Sequence, residues 1–376
     1  MLFSNLIGKN NLKEQILALY NGNRVPHALL FNGNEGSGAF QLALSLTQLL
    51  LCSIPSKTDS CGACSSCLKV QKMMHPDLHF SFPIQLSQTN KITTSDDLLE
   101  GFIEMMLEFP FFSKELWAEK MGNKNKQGII GTKESQQIIK KLSLKSYEGG
   151  AKILLMWLPE EMNKQGANKL LKLIEEPPEK THFIFVSEKK EQLLPTIQSR
   201  LQTIDVPDFS ELEINQYLIE NLNVSKEQAE IASSISFGNM SKAIQYLNNE
   251  NNHDVYLSLF INWMRLCYTR NIADTIDWVD ATSKEGREQI KGLLLYTLEM
   301  FRKCILGHYS VEIKGMSKEQ ARFLKKFSPF VNHNNIVQFS EVINDAHFHM
   351  ERNANPKILM LDVSILFFRL LKTDKK

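Results

Sequence analysis

No run of about 18 apolar residues occurs in this 376-residue sequence, so no transmembrane helix is expected. The opening Met1–Gly8 lacks a basic segment followed by an apolar one and does not read as a secretory signal. An excess of one charge sign is missing too. The formal net charge is +1, so no global positive field steers the chain to nucleic acid or anionic lipid. Contact with DNA would need a local patch or an assembly. The expectation is a cytoplasmic protein with no membrane partner. Cysteines there stay reduced, so a dense cluster among the six present points to metal before disulfide. With 43% apolar and 23% charged residues, the chain has ordinary globular composition and length for two or three domains.

A second absence is local. Gly33-Asn34-Glu35-Gly36-Ser37-Gly38-Ala39-Phe40 keeps the frame of the phosphate-binding pattern G-x-x-x-x-G-K-[ST]. In that pattern backbone N–H groups cradle phosphates, the Lys pairs with the β- and γ-phosphates, and the hydroxyl holds Mg²⁺. Here Ala39 and Phe40 stand at the Lys and hydroxyl positions. The context is right for such a loop. His27–Phe31 reads as a short buried strand, and Phe40, Leu42, Ala43, Leu46, Leu49 and Leu50 recur at helical spacing after the glycines.

The first 205 or so residues alternate short apolar runs with helical periodicity, the mark of an α/β unit with a parallel sheet. Ile153–Trp157 and His182–Val186 are further strands. Between them Ala167, Leu170, Leu171 and Ile174 mark a helix that stops at Pro177-Pro178. A variable insert spans about 85–128, and its basic stretch Lys120–Gln127 reads as a surface loop. Beyond Asp208 the pattern is helical throughout: a small unit over 207–250, then a bundle over 251–376.

Cys52, Cys61, Cys64 and Cys67 form C-x8-C-x2-C-x2-C in a module over about 52–80. Four thiolates can close a tetrahedral zinc site with no open position, so the expected ion is structural. A ferredoxin-type run would add a fourth Cys and a Pro just downstream; Leu68 follows Cys67 instead, which favours zinc over an iron–sulfur cluster. His75 and His79 read as ordinary surface or turn residues, and Cys267 and Cys304 as core.

Several stretches together resemble the bacterial clamp-loader AAA+ subunits. They are Arg24–Gly33, the inserted four-cysteine module, Leu144–Lys152, Asn163–Pro178, Leu193–Leu201 and, near the end, Arg352–Lys357. The resemblance implies an AAA+ domain over 1–206, a helical lid over 207–250 and a helical collar over 251–376. In an active member of that family an Asp-Glu pair follows the strand ending near Met156, to hold Mg²⁺ and polarise the attacking water. Trp157 and Leu158 fill those positions, and neither can do either task. Glu160 and Glu161 beyond them read as first-turn acids favoured by a helix dipole. Ser187 occupies the sensor-1 place, with a strand-end hydrogen bond as its simpler role. Ser241 replaces the sensor-2 arginine, and Lys242 lies about 100° around the helix from it. Lys152 or Lys164 could substitute for the lost loop Lys only if both motifs were compensated together.

Ser199-Arg200 survives. By resemblance it supplies an arginine finger to the nucleotide site of a neighbouring subunit, with Leu201 in place of the family's Cys. The implied function is a subunit with no ATP or Mg²⁺ of its own that serves the site of an adjacent ATPase subunit. Its expected partners are the clamp-loader ATPase subunits and the other wrench-type subunit of a hetero-oligomeric ring, the sliding clamp and, collectively, primer–template DNA. The alternatives are an active ATPase of the same fold and a zinc-containing adaptor outside replication.

Overall fold

The computed structural model describes residues 1–87, 92–122, 128–248, 250–308, 318–352 and 354–371. By packing, the chain divides into two compact units. One comprises Met1–Asn223 with Ser236–Ala243, the other Val224–Ile235 with Ile244–Lys376.

The first unit is built on five parallel strands: β1 (Ala28–Asn32), β2 (Leu78–Ser81), β3 (Lys152–Trp157), β4 (Thr181–Ser187) and β5 (Gln202–Asp205). Their order across the sheet is β2-β3-β4-β1-β5. Side chains alternate across each strand, so the sheet has two buried faces. Leu29, Phe31, Ile153, Leu155, Trp157, Ile184 and Val186 face the first layer, whose centre is helix α2. Ala28, Leu30, Leu154, Met156, Phe183 and Phe185 face the opposite layer.

The helices of this unit are α1 (Asn10–Asn21), α2 (Ala39–Leu51), α3 (Ser65–Gln71), α4 (Leu99–Glu108), α5 (Lys114–Lys120), α6 (Thr132–Ser143), α7 (Lys164–Glu175), the short α8 (Pro195–Gln198) and α9 (Glu211–Leu222). Helix α2 is buried on every side except at Leu50. Its polar residues are therefore all answered. Ser45 and Thr47 donate to the carbonyls of Gln41 and Ala43, and Gln48 donates to Ser60 Oγ at 2.8 Å. α6 and α7 cover the other face with Ile138, Leu142, Ala167, Leu170 and Ile174. Asn163 caps α7 by accepting from Gly166 N, and the helix ends two residues before Pro177.

The variable insert is not peripheral. Phe102, Met105 and Met106 of α4, Phe112, and Trp117 of α5 are all buried in the α2 layer. Lys120 closes α5 rather than sitting in a loop, and residues 123–127 of that expected loop lie outside the described residues. β2 was not legible, because its four residues sit inside the cysteine-module range and alternate weakly. It pairs with β3 from Leu78↔Ile153 to Ser81↔Met156. That placement corrects the reading of the two histidines. His79 is a strand residue, with burial lowering its pKa to about 4. His75 is buried, its Nδ1 accepting from Asp77 N at 3.1 Å and its Nε2 lying 3.1 Å from Glu148.

The second unit is helical: α10 (Lys226–Ile235), most of α11 (Met240–Asn248), α12 (Glu250–Thr269), α13 (Ile272–Lys284), α14 (Arg287–His308), α15 (Lys318–Phe327), α16 (Ile336–Glu351) and α17 (Pro356–Leu370). Trp263 stacks on Trp278 and Phe367 and donates to Ser364 Oγ at 2.8 Å. Cys267 and Cys304 are buried in this core. The end of the Arg352–Lys357 stretch is a helix start: Asn355 caps α17 and Pro356 takes its first position. No described helix is long and apolar enough to cross a membrane.

Buried Asp77 joins β2 to the loop before β3. It accepts from Tyr147 N at 2.6 Å, Glu148 N at 2.9 Å and Ser146 Oγ at 3.1 Å. Asp77→Ala leaves those donors without a partner and is expected to cost about 2 kcal/mol. A urea midpoint that falls with unchanged slope is the expected reading; an unchanged midpoint would reject this account of the junction.

Candidate functional site: a closed phosphate loop, a thiol cluster and a half-buried arginine

Open parallel sheets take ligands outside the carboxyl ends of their strands. In this chain the loop after β1 and the ends of β3 and β4 meet there. Gly36 and Gly38 have φ of 71° and 87°, a backbone that disfavours side chains. Space demands glycine as well. A Cβ at Gly36 would meet Asn239 Oδ1 at 2.0 Å, and one at Gly38 would meet Phe209 Cζ at 2.8 Å. The glycine frame thus serves packing within this unit.

Ala39 and Phe40 open α2, and both are buried. The Phe40 ring meets Phe112 edge-on at 5.0 Å, and Phe112 meets Trp157 at 4.8 Å. Phe102 lies 5.7 Å from both Phe112 and Trp157. Gln41 donates to Pro110 O and ties the insert over the loop. A space of about 30 Å³ is left among Gly33–Gln41, Pro110–Phe112, Trp157, Val186 and Glu188. That is room for about one or two waters.

Glu35 and Glu188 line the remaining gap, and Glu115 and Glu160 lie close enough to act on Glu188. Glu35 belongs to the loop, Glu115 to α5, Glu160 to a single 3₁₀ turn after β3, and Glu188 follows β4. Burial first, then repulsion from Glu35, Glu160 and Glu115, pushes Glu188 up to about 8. Burial first, then Glu115, pushes Glu35 up to about 7. Glu160 is raised by burial, although its carboxylate accepts from Glu188 N at 2.9 Å and Lys189 N at 3.2 Å. Glu160 and Glu161 are first-turn acids of the short 3₁₀ turn Pro159–Glu161, ahead of α7, and Glu161 pairs with Lys114. Sequence reasoning missed Glu35, Glu115, Glu188 and Phe112. Only Pro110-Phe111-Phe112, an apolar run after a helix, offered a signal.

The other expected positions are placed as follows. Leu158 is buried with φ 54° and donates its N–H to Val186 O at 2.8 Å, turning the chain after β3. Ser187 accepts from Lys189 N at 3.2 Å, a strand-end hydrogen bond. Ser241 is buried and Lys242 is exposed. Lys152 cannot reach the loop, since it starts β3 at the opposite end of the sheet and donates to Leu142 O and Leu144 O. Lys164 is exposed at the start of α7.

The four cysteines come together. Sγ–Sγ distances are 3.6 Å for Cys52–Cys61, 4.0 Å for Cys52–Cys64 and 3.9 Å for Cys61–Cys67, and all four sulfurs lie within 4.8 Å. A tetrahedron of thiolates at about 2.3 Å from one ion has edges of about 3.8 Å. Backbone N–H groups of Cys61, Cys64 and Cys67 donate to the sulfurs of Cys52, Cys61 and Cys64 at 3.3–3.4 Å. The cluster can hold a metal ion.

Ser199 follows α8, and Arg200 precedes β5. Arg200 lies outside the lining of the loop cavity and its side chain is 31% exposed. Leu201 packs against the α7 face of the core.

The pattern of the family described as "DNA polymerase III, delta subunit" matches residues 8–210, more than half of the chain. The chain belongs to the DNA polymerase III delta-prime family. The delta-prime subunit of Escherichia coli is 26% identical over 321 residues, 83% of this chain and 81% of that protein. That of Bacillus subtilis is 25% identical over 245 residues, 64% of this chain and 61% of the relative, so less than two thirds of the latter is spanned. A solved DNA polymerase III gamma subunit-related protein from Thermotoga maritima aligns over 95% of this chain and all of that one, with 14% identity and a TM-score of 0.42. The family assignment and the parallel sheet give an AAA+-like α/β unit followed by helices.

The carboxylates at the loop give a test with a definite sign. Glu188 is an acid whose folded pKa is raised, so its contribution to stability is whole below the ordinary carboxylate range and is lost as pH rises through about 8. Glu188→Gln removes that loss. Its melting temperature should exceed wild type at pH 9 by more than at pH 5; equal differences at the two pH values would reject the repulsion.

Proposed function

We propose that the chain is a non-hydrolysing, delta-prime-like subunit of a DNA polymerase III clamp loader. It would act in the cytoplasm during sliding-clamp loading, with Arg200, supported by Ser199, completing the nucleotide site of a neighbouring ATPase subunit. The observation that carries this reading is the contrast between two places in one unit. The chain's own loop is filled by Phe40, Phe112 and Trp157 and lined by Glu35 and Glu188, while the Arg200 side chain lies outside that lining and is partly open to solvent.

Phosphoryl transfer depends on positive charge and Mg²⁺ placed around the transferring group. At this loop the cation position is Ala39, the metal and base positions are Trp157 and Leu158, and the nearby titratable groups are mainly acids. A polyphosphate would meet aromatic rings and carboxyl groups where it needs cations. A guanidinium, in contrast, is a planar donor with a permanent charge, suited to phosphate oxygens. On this reading residues 207–250 form a lid and 251–376 a collar that joins a hetero-oligomeric ring with the ATPase subunits and the other wrench-type subunit. The sliding clamp and primer–template DNA would be met by that assembly. The thiol cluster would hold structural zinc through Cys52, Cys61, Cys64 and Cys67, which supplies cross-linking of the 52–67 segment rather than chemistry.

Two measurements test this. The isolated chain should show no ATP turnover above background. In a reconstituted loader Arg200→Ala should lower hydrolysis at the completed site by on the order of 10³. Unchanged clamp-stimulated hydrolysis would remove the finger role. Metal analysis should return one zinc per chain, lost in a Cys61→Ser/Cys64→Ser double variant with a lower melting temperature; a folded wild-type chain without metal would end the zinc assignment.

A further inference from the structure

Arg200 is already engaged within its own subunit. Its Nε donates to Glu175 Oε1 at 2.7 Å, and its Nη2 donates to the same oxygen. Its Nη1 donates to Thr196 O at 2.6 Å and Ser199 Oγ at 3.2 Å. Four of the five guanidinium N–H bonds are thus committed. Strong phosphate binding by arginine uses two donors along one edge of the fork. In this state no edge offers two.

We infer that Glu175 is the resting partner of Arg200, a positioning residue that parks the finger and must be displaced by a neighbour's phosphate before the finger can act. The inference rests on the finger reading above. Two features make Glu175 suited to this exchange. It is the last residue of α7, where the carbonyl end of a helix disfavours a carboxylate, and Glu176 follows it. Holding a guanidinium relieves that position, so the carboxylate recaptures Arg200 whenever phosphate leaves. The pair is also weak enough to break. The two side chains are 31% and 48% exposed, where an ion pair is screened and contributes little. A γ-phosphate carries more charge than a carboxylate, so it wins the exchange once it is presented. A buried partner would hold the finger permanently. Without a partner, the long side chain would have to be ordered anew at each docking.

The test uses the reconstituted complex with its partner ATPase subunits and ATP, comparing wild type, Glu175→Gln, Glu175→Lys and Arg200→Ala. Both Glu175 variants are surface changes, and Lys is favoured at a helix C-terminus, so folding should hold. Releasing the finger should raise kcat/KM for ATP about two- to fivefold at low salt, more for Lys than for Gln, and the gain should shrink as salt is raised. A fall in kcat/KM in both variants would mean that Glu175 orients the finger for catalysis and does not park it. No change, with Arg200→Ala still impaired, would make the ion pair incidental. An Arg200→Ala complex equal to wild type would instead sink the finger reading itself.

Discussion

The packing of Phe40 on Phe112 and of Phe112 on Trp157 is the contact on which the rest of the first unit depends. These rings occupy the crevice beyond the strand ends, the place where a parallel sheet ordinarily leaves room for a ligand. Each buried aromatic removes roughly 150–250 Å² from water, so the cluster stabilises the unit by several kcal/mol. The insert supplies Phe112, α2 supplies Phe40, and β3 supplies Trp157. Three segments distant in sequence are thereby locked together by the hydrophobic effect, where an active phosphate loop would depend on bound nucleotide for part of its order. The glycines of the loop stay because their backbone must turn beneath Asn239 and Phe209.

Closing that crevice changes the electrostatics around it. A loop that cradles phosphate needs cations near it, whereas a filled loop can tolerate acids. Glu35 and Glu188 line the place where the transferring charge would have been, with Glu115 and Glu160 close by, and burial first, then neighbouring carboxylates, raises the pKa of Glu35 and Glu188. Such a cluster would be costly beside a triphosphate and is tolerable beside aromatic rings. The acids and the rings are therefore one change seen twice, in charge and in volume.

Much of this was legible in the sequence. The strands at 28–32, 152–157 and 181–187 carry continuous apolar runs, and α7 carries a clean helical stripe ended by proline. The cysteine cluster was legible because its spacing alone brings sulfurs close. What escaped was long-range. β2 is short and its pairing with β3 is set by chain folding, so no local pattern announced it. The role of Phe112 depends on a contact 72 residues from Phe40, and the Glu188 environment on four segments meeting at one end of the sheet. Glu175 and Arg200 are separated by 25 positions and a strand. Local spacing reports elements; it does not report which of their ends converge.

The position of Arg200 relative to the filled loop explains why the two belong in one molecule. β5 begins two residues after Arg200 and pairs with β1 from Leu29↔Gln202 to Asn32↔Asp205. The base of the arginine is thus anchored to the same strand that leads into the loop. A group that stabilises a transition state acts through placement within a fraction of an ångström, so a rigid base matters more to it than reach. Side chains that fill the loop leave, on the proposed reading, no nucleotide exchange there to disturb β1, and so none to reach Arg200 through β5. On the proposed reading, a subunit that has lost its own chemistry is for that reason the better support for its neighbour's.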